Sequence, residues 1–161
     1  MKSIHVNTKQ KALALNKMYN ALRKGHAGGA MFVKYYLEGC PACVHFKPTW
    51  DKTAGMAKHK RLHRVLFVKI NANMLDHIDL PKVNSFPTVK LFTQQQPQGI
   101  DFNEDRTAEN LLHFIKQHTM SLPKSTQRRH KSRRHRSKRR TAKGLYGRKH
   151  RVRTRRVRFK L

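Results

Sequence analysis

The chain has 161 residues, 37 of them Lys or Arg against 8 Asp or Glu, a formal net charge of +29, and only two cysteines. That length allows one ordinary domain with an appendage, and two cysteines exclude a disulfide-stapled framework. No stretch approaches the ~18 apolar residues of a membrane span and Met1 to Lys9 lacks the apolar core of a secretory leader, so the expectation is a soluble chain in a reducing compartment, with no membrane contact.

Ile4-His5-Val6 predicts a short strand, followed by Asn7 and Thr8, either of which can cap a helix. Leu15, Met18, Tyr19 and Leu22 recur at i, i+3, i+4 and i+7, the pattern of an amphipathic helix with a core-packing stripe, which stops in the Gly25 to Gly29 loop. Met31 to Leu37 is short, aromatic and β-branched and predicts a buried strand. Both cysteines follow in Glu38-Gly39-Cys40-Pro41-Ala42-Cys43, and Val44, Phe46, Trp50, Ala54, Met56 and Ala57 then continue with helical spacing toward Lys60. Cys40 is therefore expected to cap that helix, with Pro41 in its first turn, where a missing N–H costs nothing. Pro48, inside the helix, is expected to kink it.

Arg64 to Asn71 predicts a second buried strand, Met74 to Leu80 a short helical piece closed by Pro81, and Ser85 to Phe92 a strand with a proline at its head. Gln94 to Gly99 reads as a polar turn and Ile100 to Phe102 as a last short strand. Thr107 is placed as the cap of a final helix with Ala108, Leu111, Leu112 and Ile115 inward. The order β-α-β-α-β-α-β-β-α predicts an α/β domain of three layers, α/β/α, with a sheet of four to five strands over residues 1–120.

Two thiols separated by two residues close a disulfide, form half a metal site, or are simply buried. At a helix N-terminus a thiol faces unpaired N–H groups and the positive end of the macrodipole, which lower a pKa of about 8.5 in free cysteine. Cys40 is thus the candidate nucleophile, and Cys43, one turn on and facing inward, the candidate resolving thiol of a redox-active disulfide. As a staple so short a loop contributes only about 2 kcal/mol, so reactivity explains the spacing better. A rival zinc reading, Cys40-x2-Cys43-x15-His59-x3-His63, is excluded if one helix joins Cys43 to His59, which separates them by roughly 24 Å against metal–ligand distances of ~2.0–2.3 Å. No metal and no cofactor are expected. His45 reads as a solvated helix position, and Trp50 as core or groove lining.

The strand and helix order, the C-x-x-C at a strand-helix junction, Pro48 five residues after the second cysteine, and Phe86-Pro87-Thr88-Val89 heading a later strand resemble the thioredoxin fold, nearest its protein-disulfide-isomerase-like members. The resemblance covers Ile4 to His118. It implies a thiol-disulfide oxidoreductase acting on cysteine-containing proteins, in which Cys40 attacks and Cys43 resolves. It also implies a cis Pro87 whose neighbour Phe86 offers backbone groups to the substrate. The chain departs from the family pattern in three ways: Gly39 stands where Trp is usual, Pro41-Ala42 where Gly-Pro or Gly-His is expected, and Lys34 where the family buries an acid. Lys34 is assigned a pKa-tuning role, since a cation there stabilises thiolates and makes the couple a better oxidant.

Composition changes abruptly at Pro123. From there to Leu161 the chain holds 19 Lys and Arg, 13 of them Arg, and no acid, leaving +10 on the rest. Residues 121–161 are expected to be a disordered tail, unable to bury enough apolar surface to fold alone. Its Arg128, Arg129, Arg133, Arg134, Arg136, Arg139, Arg140, Arg151, Arg153, Arg155, Arg156 and Arg158 are the candidate nucleic-acid contacts, because the guanidinium fork binds phosphate bidentately. Such binding is sequence-nonspecific and steeply salt-dependent. The tail looks like a protamine or a viral core peptide, which suggests a virion core of a large DNA virus or a nucleus, with the cytoplasm as the alternative compartment; a monomer is expected. The alternative functions are a nucleic-acid-condensing protein with a redox-silent domain and, behind it, the zinc module.

Overall fold

In the computed structural model, which describes residues 3–120 except 27 and 61, the elements run β1 (Ser3–Val6), α1 (Lys9–Arg23), β2 (Ala30–Tyr36), α2 (Pro41–His59), β3 (Val65–Asn71), a 3₁₀ helix (Ala72–His77), β4 (Thr88–Thr93), β5 (Ile100–Asp101) and α3 (Ala108–Thr119). One sheet takes all five strands in the order β1-β3-β2-β4-β5. β1, β3 and β2 are parallel, and β4 and β5 are antiparallel to their neighbours. Parallel neighbours need long crossovers, which α1 and α2 supply, whereas β4 and β5 turn back through a short loop.

Successive residues of β2 point to opposite faces, and each face has its own core. Ala30 and Phe32 join Phe46, Trp50, Phe67, Leu111 and Phe114 beneath α2 and α3. Met31, Val33 and Tyr35 join Leu15, Tyr19, Leu22, Val68 and Phe92 beneath α1. Phe32 stacks on Trp50 with ring centroids 5.1 Å apart, so α2 is anchored on the central strand just behind the cysteines. The same alternation sends Lys34, next but one after Phe32, under the first turns of α2.

The caps are those the sequence offers. Thr8 accepts from the Lys11 N–H and Thr107 from the Asn110 N–H, each satisfying a donor that the helix leaves unpaired. Helix α2 runs unbroken through the exposed Pro48. Two expectations change. The piece placed at Met74 to Leu80 is a 3₁₀ helix that ends at His77, because Ile78 and Leu80 turn inward to the α1-side core. The strand expected from Ser85 starts only at Thr88, since Pro87 has no N–H to give the ladder. Among the described residues no helix is long and apolar enough to cross a membrane.

Candidate functional site

Strand β2 ends at Tyr36, and Gly39 turns the chain into α2 with φ +76°, a left-handed conformation that L side chains adopt only at a cost. The tie between the Glu38 carboxylate and the Asn71 side chain, which donates at 2.8 Å, holds that turn against the end of β3. Cys40 then takes the N-cap position with an extended backbone, its carbonyl accepting from the N–H groups of Cys43 and Val44, both at 3.1 Å, and Pro41 opens the helix. Cys40 makes no side-chain cap bond. Its sulfur is left for chemistry.

The two thiols are free, and their surroundings differ. Cys40 is partly exposed and Cys43 is 6% exposed. The Cys43 thiol, and behind it the backbone N–H groups of Cys43 and Ala42, hold the Cys40 thiol below its ordinary pKa. Burial pushes Cys43 the other way, and the neighbouring Cys40 adds to that rise. One helical turn thus carries a thiol that ionises early beside one that ionises late. Cys40 Sγ also lies 3.9 Å from the Phe86 carbonyl oxygen, within reach of a weak S–H···O bond.

Phe86 and Pro87 are joined by a cis peptide bond and face Cys40 from the loop before β4. The Pro87 carbonyl accepts from Arg106 Nη2 at 2.8 Å, and the Arg106 guanidinium lies 5.6 Å from the Phe46 ring centroid, so this side chain braces the loop against α2. Arg106 is a residue that sequence reasoning missed. Its one signal is a place directly before the Thr107 cap, which puts it at the same end of the sheet as Cys40.

Lys34 is 3% exposed, with Nζ 5.4 Å from the Phe46 ring centroid and 5.5 Å from that of Trp50. Burial first, and repulsion by Lys69 second, bring its pKa down to about 8. The ammonium is among the influences on Cys43, which it lowers, but it is the weakest of them, and it is not among those acting on Cys40. Lys34 and Cys43 share a cavity of about 270 Å³ with His5, Tyr36, Lys47 and Lys69. Two of these lining residues are joined, His5 Nε2 lying 2.6 Å from Tyr36 Oη.

His45 is exposed, as a solvated helix position should be, and Trp50 is fully buried in the core. Helix α2 is continuous from Pro41 to His59 and carries Cys43 and His59 roughly 24 Å apart, so they cannot ligate one metal ion. Among the described residues no three His, Cys, Asp or Glu side chains are grouped to hold one. The candidate nucleic-acid arginines at positions 128–158, and the tail assigned to residues 121–161, lie outside the described residues.

A model of the family described as Thioredoxin matches residues 11–117. Protein disulfide-isomerase 1 of Caenorhabditis elegans is 33% identical over 95 residues, 59% of this chain and 19% of that protein. Protein disulfide-isomerase of Drosophila melanogaster is 33% identical over 88 residues, 53% of this chain and 17% of that protein. The chain therefore spans 17 to 19% of the length of these curated relatives. Among solved structures, the J-Trx1 fragment of ERdj5 superposes with a TM-score of 0.54 at 25% identity, over 74% of this chain and 52% of that one. The zinc-bound form of human ERp44 reaches 0.55 at 15% identity, over 72% and 31%, a likeness of fold alone.

Proposed function

The chain belongs to the thioredoxin family and has its fold, and from that premise we propose that it is a thiol-disulfide oxidoreductase that works on cysteine-containing proteins while tethered to nucleic acid. The observation that carries the redox half is the placing of two free thiols one turn apart, Cys40 partly exposed at the N-cap of α2 with Sγ 3.9 Å from the Phe86 carbonyl oxygen and Cys43 buried behind it, an arrangement that pushes Cys40 below and Cys43 above the ordinary value. Cys40 thiolate attacks one sulfur of a substrate disulfide, a Cys40–substrate disulfide forms, and one substrate thiolate leaves. Cys43 then gives up its proton and attacks the Cys40 sulfur, which releases the second substrate thiolate and leaves Cys40 and Cys43 oxidised. Two electrons pass to the substrate. Run backward, the same steps oxidise a substrate dithiol.

Phe86 and Pro87 form the wall against which the substrate lies, and Lys34 keeps a positive charge under the resolving thiol below pH of about 8. The tether is the arginine-rich segment, whose 19 cations without an acid suit a phosphate backbone. Its compartment is one where nucleic acid is packed, a virion core or a nucleus. The test is a pair of variants. Cys43→Ser accumulates mixed disulfides through Cys40, and truncation after Leu122 lowers retention on DNA while thiol oxidation continues. Absence of any trapped adduct in Cys43→Ser overturns the redox reading, and undiminished DNA retention by the truncated chain overturns the tether.

A further inference from the structure

Charge is distributed along the folded part as unevenly as along the whole chain. Residues 1–37 hold seven Lys or Arg and no acid, and residues 52–75 hold six and no acid. Helices α1 and α2 both finish inside these stretches. They also finish at one end of the sheet. The Ala30 N–H that opens β2 donates to the Arg64 carbonyl at 2.9 Å, and a Cβ on Gly29 would meet that oxygen at 2.5 Å, so the loops leading from α1 into β2 and from α2 into β3 touch. Thr93, the last residue of β4, lies opposite Ala30, and the Gln94 side chain beyond it packs on Gly25 just after α1. Helix α3 ends there too, its Gln117 and His118 sharing a cavity with Thr93 and Gln96. Cys40 is at the other end, where β2 finishes and α2 starts.

Arg23, Lys24, His26, Lys58, Lys60 and His63 are exposed at this pole. Elsewhere Lys47, Lys52, Lys69, Lys82 and Lys90 are each held by an acid, but Arg23, Lys24, Lys58 and Lys60 make no ion pair among the described residues. Asp79, in the loop after the 3₁₀ helix, accepts from the Asn20 side chain at 2.9 Å. Complementing the helix macrodipoles explains a cation in the last turn of each helix and no more, since the effect fades within that turn. Here the cations continue into the loops, and the first turns of α1 and α2 carry no acid to match.

We infer that this pole is a nucleic-acid contact on the folded domain itself, gripping phosphates without reading bases. The inference rests on the tether proposed above and adds to it a second, rigid point of attachment. Met120, after which the arginine-rich sequence follows, stands beside the pole at the end of α3. A duplex held there leaves Cys40, at the opposite end of the sheet, open to protein substrates.

The experiment measures the full-length chain on a mixed-sequence DNA duplex between about 50 and 200 mM salt, where the slope of log K against log salt counts phosphate contacts at roughly 0.9 each. A pole variant carries Arg23→Gln, Lys24→Gln, Lys58→Gln and Lys60→Gln. A control of equal charge carries Lys9→Gln, Lys11→Gln, Lys17→Gln and Lys82→Gln. The pole variant is expected to lose about 3 to 4 units of slope and the control less than about 1. A pole variant limited to Lys24→Gln and Lys58→Gln loses about half as much, and undiminished thiol oxidation in every variant shows that each is folded. Equal losses in pole and control variants, or no loss in the pole variant while the wild type binds, overturn the inference alone. Failure of the wild type to bind the duplex overturns the tether as well.

Discussion

Replacing Lys34 by Met should stabilise the protein at neutral pH and remove a rise in stability at alkaline pH. Lys34 has an ordinary value of 10.5 when the chain is unfolded and about 8 when folded, and burial is the main cause. Below pH of about 8 both states carry the proton, and the folded state bears the full penalty, about 3 kcal/mol from 1.36 kcal/mol per unit. Between 8 and 10.5 the unfolded chain binds a proton that the folded chain does not, so stability rises with pH. From pH 7 to 9.5 that linkage amounts to about 2 kcal/mol. The contacts of Nζ with Phe46 and Trp50 return part of the penalty, up to about 2 kcal/mol for a desolvated cation over aromatic faces, so the net gain from Lys34→Met at pH 7 should be about 1–3 kcal/mol.

The assay is urea unfolding at pH 7, 8 and 9.5 in a Cys40→Ser/Cys43→Ser background, so that no thiol titrates in the same window. His5, whose pKa is lowered, and Tyr19, Tyr35 and Tyr36, all raised, titrate outside that window. The parent should gain about 2 kcal/mol across the range and the Met variant should stay flat. Parallel curves for the two would refute the placement of a buried ammonium under α2.

Three further outcomes are expected. Alkylation of the reduced protein should modify Cys40 with a midpoint below the ordinary thiol pKa and Cys43 only above it, and equal rates at neutral pH would contradict the opposite shifts. Lys34→Met should make the reduction potential more negative, as loss of a cation near a thiolate requires. A glutathione titration giving an unchanged or less negative potential would contradict a cation acting on the pair. Gly39→Ala should cost about 1–2 kcal/mol in thermal or urea unfolding although its Cβ would meet no atom within 4 Å, since the cost lies in φ +76° rather than in space; an unchanged stability would show that the turn relaxes.

The fold was legible wherever the signal was periodic. Phe32, Phe67, Leu91 and their alternating neighbours on β2, β3 and β4 read as buried strands because both faces of the sheet are covered, which makes the strands largely apolar, with one lysine each, Lys34, Lys69 and Lys90. Thr8 and Thr107 announced their helices through side-chain chemistry. Legibility ended where tertiary contact decides the geometry. The 3₁₀ helix at Ala72–His77 cannot be told from an α-turn by composition, and its stop is set by Ile78 and Leu80 entering the core from outside the segment. Arg106 was invisible for a similar reason: its partners, the Pro87 carbonyl and the Phe46 ring, lie 19 and 60 residues before it in the sequence.

Lys34 marks a different boundary, between identity and consequence. The sequence reveals that a cation stands where relatives in the resemblance bury an acid, and from charge alone it follows that thiolates are favoured. Burial alters the size of that effect in two ways. It lowers the lysine to about 8, so that the charge itself is lost within the alkaline range where Cys43 would ionise, and it raises Cys43 by more than the ammonium lowers it. The resolving thiol therefore stays protonated beside a cation that is itself ready to lose its proton. The attack of Cys43 on a mixed disulfide then depends on what removes that proton, and the groups that share the 270 Å³ cavity with Lys34 and Cys43 are His5, Tyr36, Glu38, Lys47 and Lys69, of which Glu38 alone is an acid.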